Sequence, residues 1–440
     1  MRSTETDLRV KIRDKQSIVG IIGLGYVGLP LALAFSEHGF STIGFDKDRE
    51  KIQSLKDGLS YVGSVTSDRL QLANSSGKFS FSMDFSKLRS ADVIIICVPT
   101  PLTPERDPDL SYVIESAEKV SDTLRPGQLV ILESTTYPGT TEDILGPVLS
   151  ATGLICGRDF FLAYSPERED PGNRYYSILT IPKIVAGVDQ ASGDLAEQFY
   201  AHVVTKTIRV SSAKIGEAAK LTENIFRAVN IALVNELKVV YDAMGIDVWE
   251  VLDAADTKPF GFMRFNPGPG WGGHCIPIDP FYLSWRARSF GITPHFIELA
   301  GEINREMPNY VTDKVIRALN AKGKSVRGSR ILVLGASYKK NIGDIRESPA
   351  RILIRRLIEL GGDVCYHDPF VSSLPADPIR TDLPPLESQN LTPQLLEKVD
   401  AVLLLTDHST VDYSLVSRYA RLIIDTRGVF ELNNDRVVRS

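Results

Sequence analysis

Residues 266–282, NPGPGWGGHCIPIDPFY, set one cysteine, Cys275, at the end of a run of glycines and prolines, with Asp279 four residues on. Such a run suits neither helix nor strand, and loops carry function more often than cores do. A thiol held there is a candidate nucleophile. Near the other end of the chain, Gly23-Leu24-Gly25-Tyr26-Val27-Gly28 follows the apolar run QSIVGIIG and opens YVGLPLALAFSEHG. Strand, glycine turn and helix form the context in which this fingerprint binds a dinucleotide. Gly23 would make the tight turn, Gly25 would let backbone approach a pyrophosphate, and Gly28 would let helix pack on strand. The next apolar segment, STIGFD, ends at Asp46, 18 residues after Gly28. A carboxylate there can bond the adenosine ribose hydroxyls and repel a 2′-phosphate. NAD is therefore favoured over NADP, with Lys47, Arg49 and Lys51 as nearby charges that pull the other way. A nicotinamide cofactor and a thiol nucleophile together have a specific use. Hydride transfer makes an aldehyde, the thiol traps it, and a second hydride transfer gives a thioester that water opens to an acid.

Holding these groups requires sheets. Residues 17–212 alternate helical stretches with the apolar strands IVGIIG, TIGFD, DVIIICVP, QLVILEST, FFLAYSP and KIVAG, the pattern of a doubly wound parallel sheet. From Lys214 to Met244 the chain has no proline and, apart from Gly216, no glycine. Ile215, Leu221, Ile225, Val229, Leu233, Leu237 and Val240 fall there in helical register. A helix that long, with more helix at 246–255 and 294–320, is the natural spine of a homodimer or a higher homo-oligomer. Residues 213–320 thus read as a central helical dimerisation domain that also holds the cysteine loop. Residues 321–440 bring a second series: RILVLGASY, SPARILIRRLIELG, DVCYHD, AVLLLTDH and RLIIDTRG. The proline-rich DPFVSSLPADPIRTDLPPLESQ reads as a surface loop. The expected fold is α/β: two Rossmann-like doubly wound parallel-sheet domains joined by a long central helix and a helical dimerisation segment.

The bulk composition fits a cytoplasmic enzyme. The net charge of −5 over 440 residues has both signs interspersed, which argues against a nucleic-acid partner. No apolar run approaches the length of a membrane span, so no membrane partner is expected. Residues 1–16, MRSTETDLRVKIRDKQ, lack the apolar centre of a signal peptide and read as a polar N-terminal lead-in, with disorder as one reading. Four cysteines without framework spacing suggest reduced thiols. Cys97, Cys156 and Cys365 sit in core or loop contexts, which leaves Cys275 as the reactive candidate. No cluster has metal-ligand spacing, so no metal is expected.

The motifs, taken together, resemble the UDP-sugar 6-dehydrogenases, from residue 17 to about residue 430 and in that family's order and spacing. The landmarks are GLGYVGLP at 23–30, ESTTYPGTT at 133–141, YSPERE at 164–169, KLTEN at 220–224, GGHCIPID at 272–279, YKKNIGDIRESP at 338–349 and DTRG at 425–428. The resemblance implies oxidation of C6 of a UDP-sugar to the uronic acid with two NAD. Cys275 would be the nucleophile that carries the thioester. Lys220 and Asn224, spaced i, i+4 and so on one helix face, would donate to the oxyanion at C6. Asp279 and Glu167 would position or activate water, with Thr136 helping to hold it; which group takes the first proton stays open. At the cofactor the resemblance places Gly23, Gly25, Tyr26, Val27, Gly28, Asp46, Lys51, Pro99, Thr100, Thr136 and Arg346. At the substrate it places Glu167, Arg168, Lys220, Asn224, Arg264, Gly272, Lys339 and Arg427. Phe260 and Phe262 could line the sugar pocket or simply pack. His274 is a weaker candidate base, because adjacent residues rarely point the same way.

SPEREDPGN and the PGPGWGGHCIPIDPFYL loop look like the branch acting on UDP-N-acetylglucosamine, where Arg168 could hydrogen-bond an N-acetyl carbonyl or a sugar hydroxyl. UDP-N-acetylmannosamine and UDP-glucose are the other substrates of the same chemistry. The product of the favoured reaction, UDP-N-acetylglucosaminuronic acid, would feed a bacterial surface polysaccharide. Two readings compete from other classes: a catalytically silent nucleotide-sugar binder, and a two-electron hydroxy-acid dehydrogenase that would need no thiol.

Overall fold

The computed structural model describes residues 3–169, 176–273, 276–376, 385–431 and 435–440. The chain divides into two compact units, Met1–Glu223 with Phe281–Ile292, and Asn224–Pro280 with Thr293–Ser440.

The first unit is built on eight strands: β1 (Ile18–Ile22), β2 (Ser41–Phe45), β3 (Phe79–Ser82), β4 (Val93–Ile96), β5 (Leu129–Leu132), β6 (Phe161–Tyr164), β7 (Lys183–Gly187) and β8 (Thr207–Arg209). They lie in the order β3-β2-β1-β4-β5-β6-β7-β8. β1, β4 and β5 are apolar throughout and almost wholly buried, as a sheet covered on both faces requires. Growth of the sheet reverses between β1 and β4, and such a switch point opens a crevice at the carboxyl ends of the strands.

Two features depart from the sequence-based expectation. β3 and β8 extend the six expected strands at either edge; FSFS and TIR are short and partly polar, so they do not stand out as apolar runs. β7 runs antiparallel to β6, which corrects the expectation of a wholly parallel sheet. A parallel return needs a crossover of about a dozen residues or more, usually a helix, and no helix is described between Tyr164 and Lys183.

The N-terminal lead-in is ordered. Helix α1 (Ser3–Arg13) buries Leu8 and Ile12 in the core of the first unit, and Lys11 Nζ lies 2.8 Å from Asp92. Only two apolar residues spaced i, i+4 make this contact, so the polar average of the segment hides them. Helix α2 (Gly28–Glu37) follows β1 with nine residues in succession buried. A 31-residue helix, Ala213–Ala243, fills the stretch expected to be helical, and further helices cover Val248–Asp256, Asp279–Arg288 and His295–Ala321. Among the described residues no helix is long and apolar enough to cross a membrane.

The second unit carries a parallel sheet of β9 (Arg330–Leu334), β10 (Asp363–His367), β13 (Ala401–Leu404), β14 (Ile423–Asp425) and β15 (Val437–Arg439), in the order β10-β9-β13-β14-β15. Within the proline-rich stretch, β11 (Ser373–Leu374) and β12 (Leu386–Glu387) form a short antiparallel pair; its residues 377–384 lie outside the described ones.

Both sheets share one fastening. Asp46, just after β2, accepts the Leu24 N–H at 2.9 Å. Asp368, just after β10, accepts the N–H groups of Ala336 and Ser337 at 2.7 and 3.0 Å. Each carboxylate thereby ties down the turn that follows the first strand of its sheet. Asp368 also accepts from Phe370 and Val371 N–H and from His408 Nε2, while His408 Nδ1 accepts from Asn341 N–H. That pattern assigns the ring proton to Nε2. Burial alone would raise the Asp368 pKa, but His408 and the backbone donors outweigh it and bring it down to about 2. Asp368 therefore contributes stability above the ordinary carboxylate range that is lost as pH falls toward 2. Asp368→Asn should lower the denaturant midpoint by an equivalent of about 3 kcal/mol, and acid unfolding of the variant should be shallower between pH 4 and 2. Equal midpoints would refute this role.

Candidate active site

In the first unit, four segments leave the carboxyl ends of adjacent parallel strands: Gly23–Gly28 after β1, Pro99–Thr100 after β4, Thr136 after β5 and Glu167 after β6. The three glycines of the fingerprint do different work. Gly23 has φ +91°, and a Cβ there would lie 2.5 Å from the Cys97 carbonyl oxygen. At Gly28 a Cβ would lie 1.8 Å from the Gly23 carbonyl. Gly25 faces open space, with nothing within 4 Å of where its Cβ would be. The first turn of α2 carries no acidic residue, and Val27 offers it no side-chain cap. Open backbone beside an uncapped helix N-terminus suits a pyrophosphate, so these residues fit NAD. Tyr26 is exposed at the rim and Thr100 is buried. Asp46 accepts from Leu24 N–H, from Asp48 N–H at 3.0 Å and from Lys51 Nζ at 3.1 Å. A carboxylate has about four lone-pair sites, which leaves capacity for a ribose hydroxyl.

Thr136 is fully buried, and the residue that holds its loop went unnoticed in the sequence: Glu217, on the long helix. Its carboxylate accepts from Gly139 N–H at 2.6 Å, Thr141 N–H at 2.8 Å and Thr141 Oγ1 at 2.7 Å, with Thr136 Oγ1 at 3.5 Å. Gly139, at φ +105°, begins a π-helical turn over Thr140–Leu145 whose first N–H groups are thus satisfied. Burial pushes the Glu217 carboxyl up to about 7 in spite of these donors.

Glu167 is held on both oxygens. Oε1 accepts the Arg168 and Glu169 N–H groups at 2.6 Å each, and Oε2 lies 3.2 Å from Lys183 Nζ. Burial would raise its pKa, but Lys183, the backbone donors and Lys220 lower it on balance, so Glu167 is ionised at neutral pH. Lys183 also reaches Glu133 Oε1 at 3.1 Å, and the Tyr200 hydroxyl donates to that same oxygen. The Arg168 fork is engaged: Nη2 and Nε meet Glu223 at 2.5 and 3.2 Å, and Nη1 donates to the Pro182 carbonyl at 2.7 Å.

Lys220 and Asn224 occupy consecutive turns of the long helix and are both buried, 7% and 5% exposed, which excludes a solvated polar stripe. In the second unit Asn224 Nδ2 donates to Asp279 Oδ2 at 2.5 Å, and Asp279 opens the helix Asp279–Arg288. Cys275 and His274 lie outside the described residues. The glycines before them pack against the later YKKNIGDIRESP motif: Gly273 N–H donates to the Arg346 carbonyl at 3.1 Å, and a Cβ at Gly272 would lie 2.6 Å from Tyr338 Cβ. Arg346 belongs to this second unit and pairs with Asp344 at 2.6 Å. Arg427 donates to the Leu405 carbonyl and lies over Gly268, where a Cβ would come within 2.6 Å of Nη1. Lys339, next to Tyr338 in sequence, is half-buried, whereas Arg264 bonds Asp253 and Asn266. Phe260 is exposed, and Phe262 less so. The thiols of Cys97, Cys156 and Cys365 are all pushed up by burial, as suits structural cysteines.

Glu133, Lys183 and Glu217 are the residues that sequence reasoning missed. Their signal is a charge on an otherwise buried surface: Lys183 in the strand KIVAG, Glu217 on the helix face that also buries Ala213, Leu221 and Asn224.

Two outcomes are expected. Asp46→Ala should weaken NAD relative to NADP by roughly 10- to 100-fold in the ratio of Kd values; equal losses would remove the ribose assignment. Glu217 keeps a proton in the folded state that the unfolded chain has released, so its contribution to stability falls as pH rises from 4.5 to about 7. Glu217→Gln should flatten that slope in unfolding curves taken across the range.

Residues 17–204, 214–306 and 332–432 match the NAD binding, central and UDP binding domains of the UDP-glucose/GDP-mannose dehydrogenase family. The chain is 38% identical over 357 residues to the UDP-N-acetyl-D-glucosamine 6-dehydrogenase of Pseudomonas aeruginosa, across 81% of this chain and 83% of that one. It is 36% identical to Protein CapL of Staphylococcus aureus, across 95% and 97% of the two chains. The structure of UDP-D-ManNAc dehydrogenase from Pyrococcus horikoshii superposes with a TM-score of 0.86 at 32% identity, covering 96% of this chain and 98% of that one. The chain belongs to the UDP-glucose/GDP-mannose dehydrogenase family, and its cofactor is NAD.

Proposed function

We propose that the protein oxidises C6 of UDP-N-acetylglucosamine to the carboxylate in two steps, through a thiohemiacetal and a thioester on Cys275. The observation that carries the reaction class is the burial of Lys220 and Asn224 on successive helical turns, with Asn224 bonded to Asp279. A silent binder has no use for an ammonium and an amide taken out of water in this way.

NAD, when bound, accepts the hydride that leaves C6 in each oxidation. The Cys275 thiolate adds to the aldehyde carbon, and Lys220 and Asn224 donate to the oxygen on which charge gathers. Asp279 holds the Asn224 amide so that its nitrogen, rather than its oxygen, faces a fixed direction. In the last step the oxygen of water bonds C6, the sulfur leaves as thiolate, and the acid loses its proton. Glu167, ionised and pinned, accepts a hydrogen bond from that water, with Thr136 beside it.

The N-acetylglucosamine assignment draws support from the Pseudomonas relative and from SPEREDPGN. UDP-N-acetylmannosamine is the second reading, because the Pyrococcus enzyme named for it is matched along nearly its whole length. The protein acts as a dimer or higher homo-oligomer. Phe226, Leu233 and Val240, spaced by seven on the long helix, are each close to half exposed, a stripe that a second copy would cover. The acid would feed a bacterial surface polysaccharide, a destination that rests on the resemblance of SPEREDPGN and the cysteine loop to the N-acetylglucosamine branch.

A panel of UDP-sugars with NADH readout and mass analysis of the product decides the substrate. Two NADH per sugar and a uronic acid are expected, fastest with the N-acetylglucosamine nucleotide. Cys275→Ser should release no acid. Full activity in that variant would favour a two-electron enzyme, and no turnover with any UDP-sugar would favour a binder.

A further inference from the structure

The antiparallel turn of β7 has a chemical consequence. Ala163 faces Gly187 and Tyr164 faces Ala186. The same register, continued three residues past β6, sets Glu167 opposite Lys183, the first residue of β7. A parallel β7 would carry Lys183 to the far end of the sheet, away from the crevice. Lys183 is 3% exposed, a position that lysine almost never takes without a partner. Its ammonium lies 3.1 Å from Glu133 Oε1 and 3.2 Å from Glu167 Oε2, with the Tyr200 ring centre 5.2 Å away. Glu133 is fixed from behind by the Tyr200 hydroxyl, and its side chain has no exposure to solvent. Glu167 is the one carboxylate of the pair on the crevice side, 11% exposed.

We propose that Lys183 is a positioning residue for Glu167, anchored in turn by Glu133 and Tyr200, and that it orients the carboxylate toward the water that opens the thioester. The backbone donors on Oε1 and the ammonium on Oε2 fix both oxygens, so the carboxylate plane cannot rotate. The charges that act on Glu167 are Lys183 and Lys220, with Glu133 behind, while the Arg168 guanidinium is turned to Glu223. Lys183 is thus the main reason that a buried carboxylate stays ionised, and an ionised, immobile acceptor is what a water nucleophile requires.

The inference rests on the hydrolytic role given to Glu167, so two readouts are needed. In ligand-free protein, carbon-13 NMR follows the Glu167 carboxyl, which should titrate at clearly higher pH in Lys183→Met than in the wild type. In turnover, the kcat of Lys183→Met should fall about 10- to 100-fold with little change in KM for the sugar nucleotide. The acid limb of its pH profile should move upward, and Lys183→Arg should recover most of the activity. If Lys183→Met fails to fold, Lys183→Met/Glu133→Gln, which keeps the net charge of the cluster, replaces it in both measurements. An unchanged titration together with an unchanged acid limb would overturn the proposal while leaving the proposed reaction intact. A wild type without turnover would overturn the reaction instead, and the NMR titration would still decide whether Lys183 governs Glu167.

Discussion

A carboxylate taken out of water must be met by donors or by a cation, and this chain meets that constraint wherever its strands end. Asp46 and Asp368 are satisfied by backbone N–H groups of the turn they fasten. Glu217 is satisfied by the start of a π-helical turn, and Glu167 by two N–H groups and an ammonium. Each such group fixes a loop at the crevice of its unit more firmly than apolar packing could, because a lost donor leaves a charge unpaired in a low-dielectric setting. The loops at the strand ends are therefore held by electrostatic contacts, and the sheet beneath them supplies the fixed points.

The glycine loop works by the opposite means. At Gly23 and Gly28 backbone carbonyls occupy the place a Cβ would take, while Gly25 faces a space left open. The loop is shaped by what surrounds it, and Asp46 clamps it through Leu24 N–H. On the ribose assignment the same aspartate would both hold the protein's own backbone and bond the cofactor. Lys51, at 3.1 Å, balances its charge without blocking the second task.

Most of the strands and the long helix were legible in the sequence, because buried parallel strands and helical registers leave period-marked apolar runs. The shared helix face of Lys220 and Asn224 was legible from their i, i+4 spacing, while the part proposed for them came from the family resemblance, and the structure adds their burial. Three things were not legible. α1 carries only Leu8 and Ile12 as apolar contacts, so composition masks it. The direction of β7 depends on the connection after β6, and strand residues look alike in either direction. Lys183, Glu133 and Glu217 are charges whose partners lie 16 to 81 residues away in sequence, and a lone charge in an apolar segment carries no mark of what it will meet.

The Arg168 fork bears on sugar choice. The sequence offers it as a donor to an N-acetyl carbonyl or a sugar hydroxyl, yet Nε, Nη1 and Nη2 are each engaged by Glu223 or by the Pro182 carbonyl. Swinging it onto a substrate would give up those contacts, but Glu223 is 37% exposed and the Pro182 contact lies at the surface, so water takes their place at a net cost of about 0–1 kcal/mol. An N-acetyl carbonyl returns only one hydrogen bond for that exchange. Under the proposed reaction Arg168 would gain little by moving, and where it stands Glu223 keeps the guanidinium plane still. On that proposal, discrimination among UDP-sugars would rest on a fixed donor rather than a mobile one, and a fixed donor separates epimers, whose groups differ in direction and not in kind.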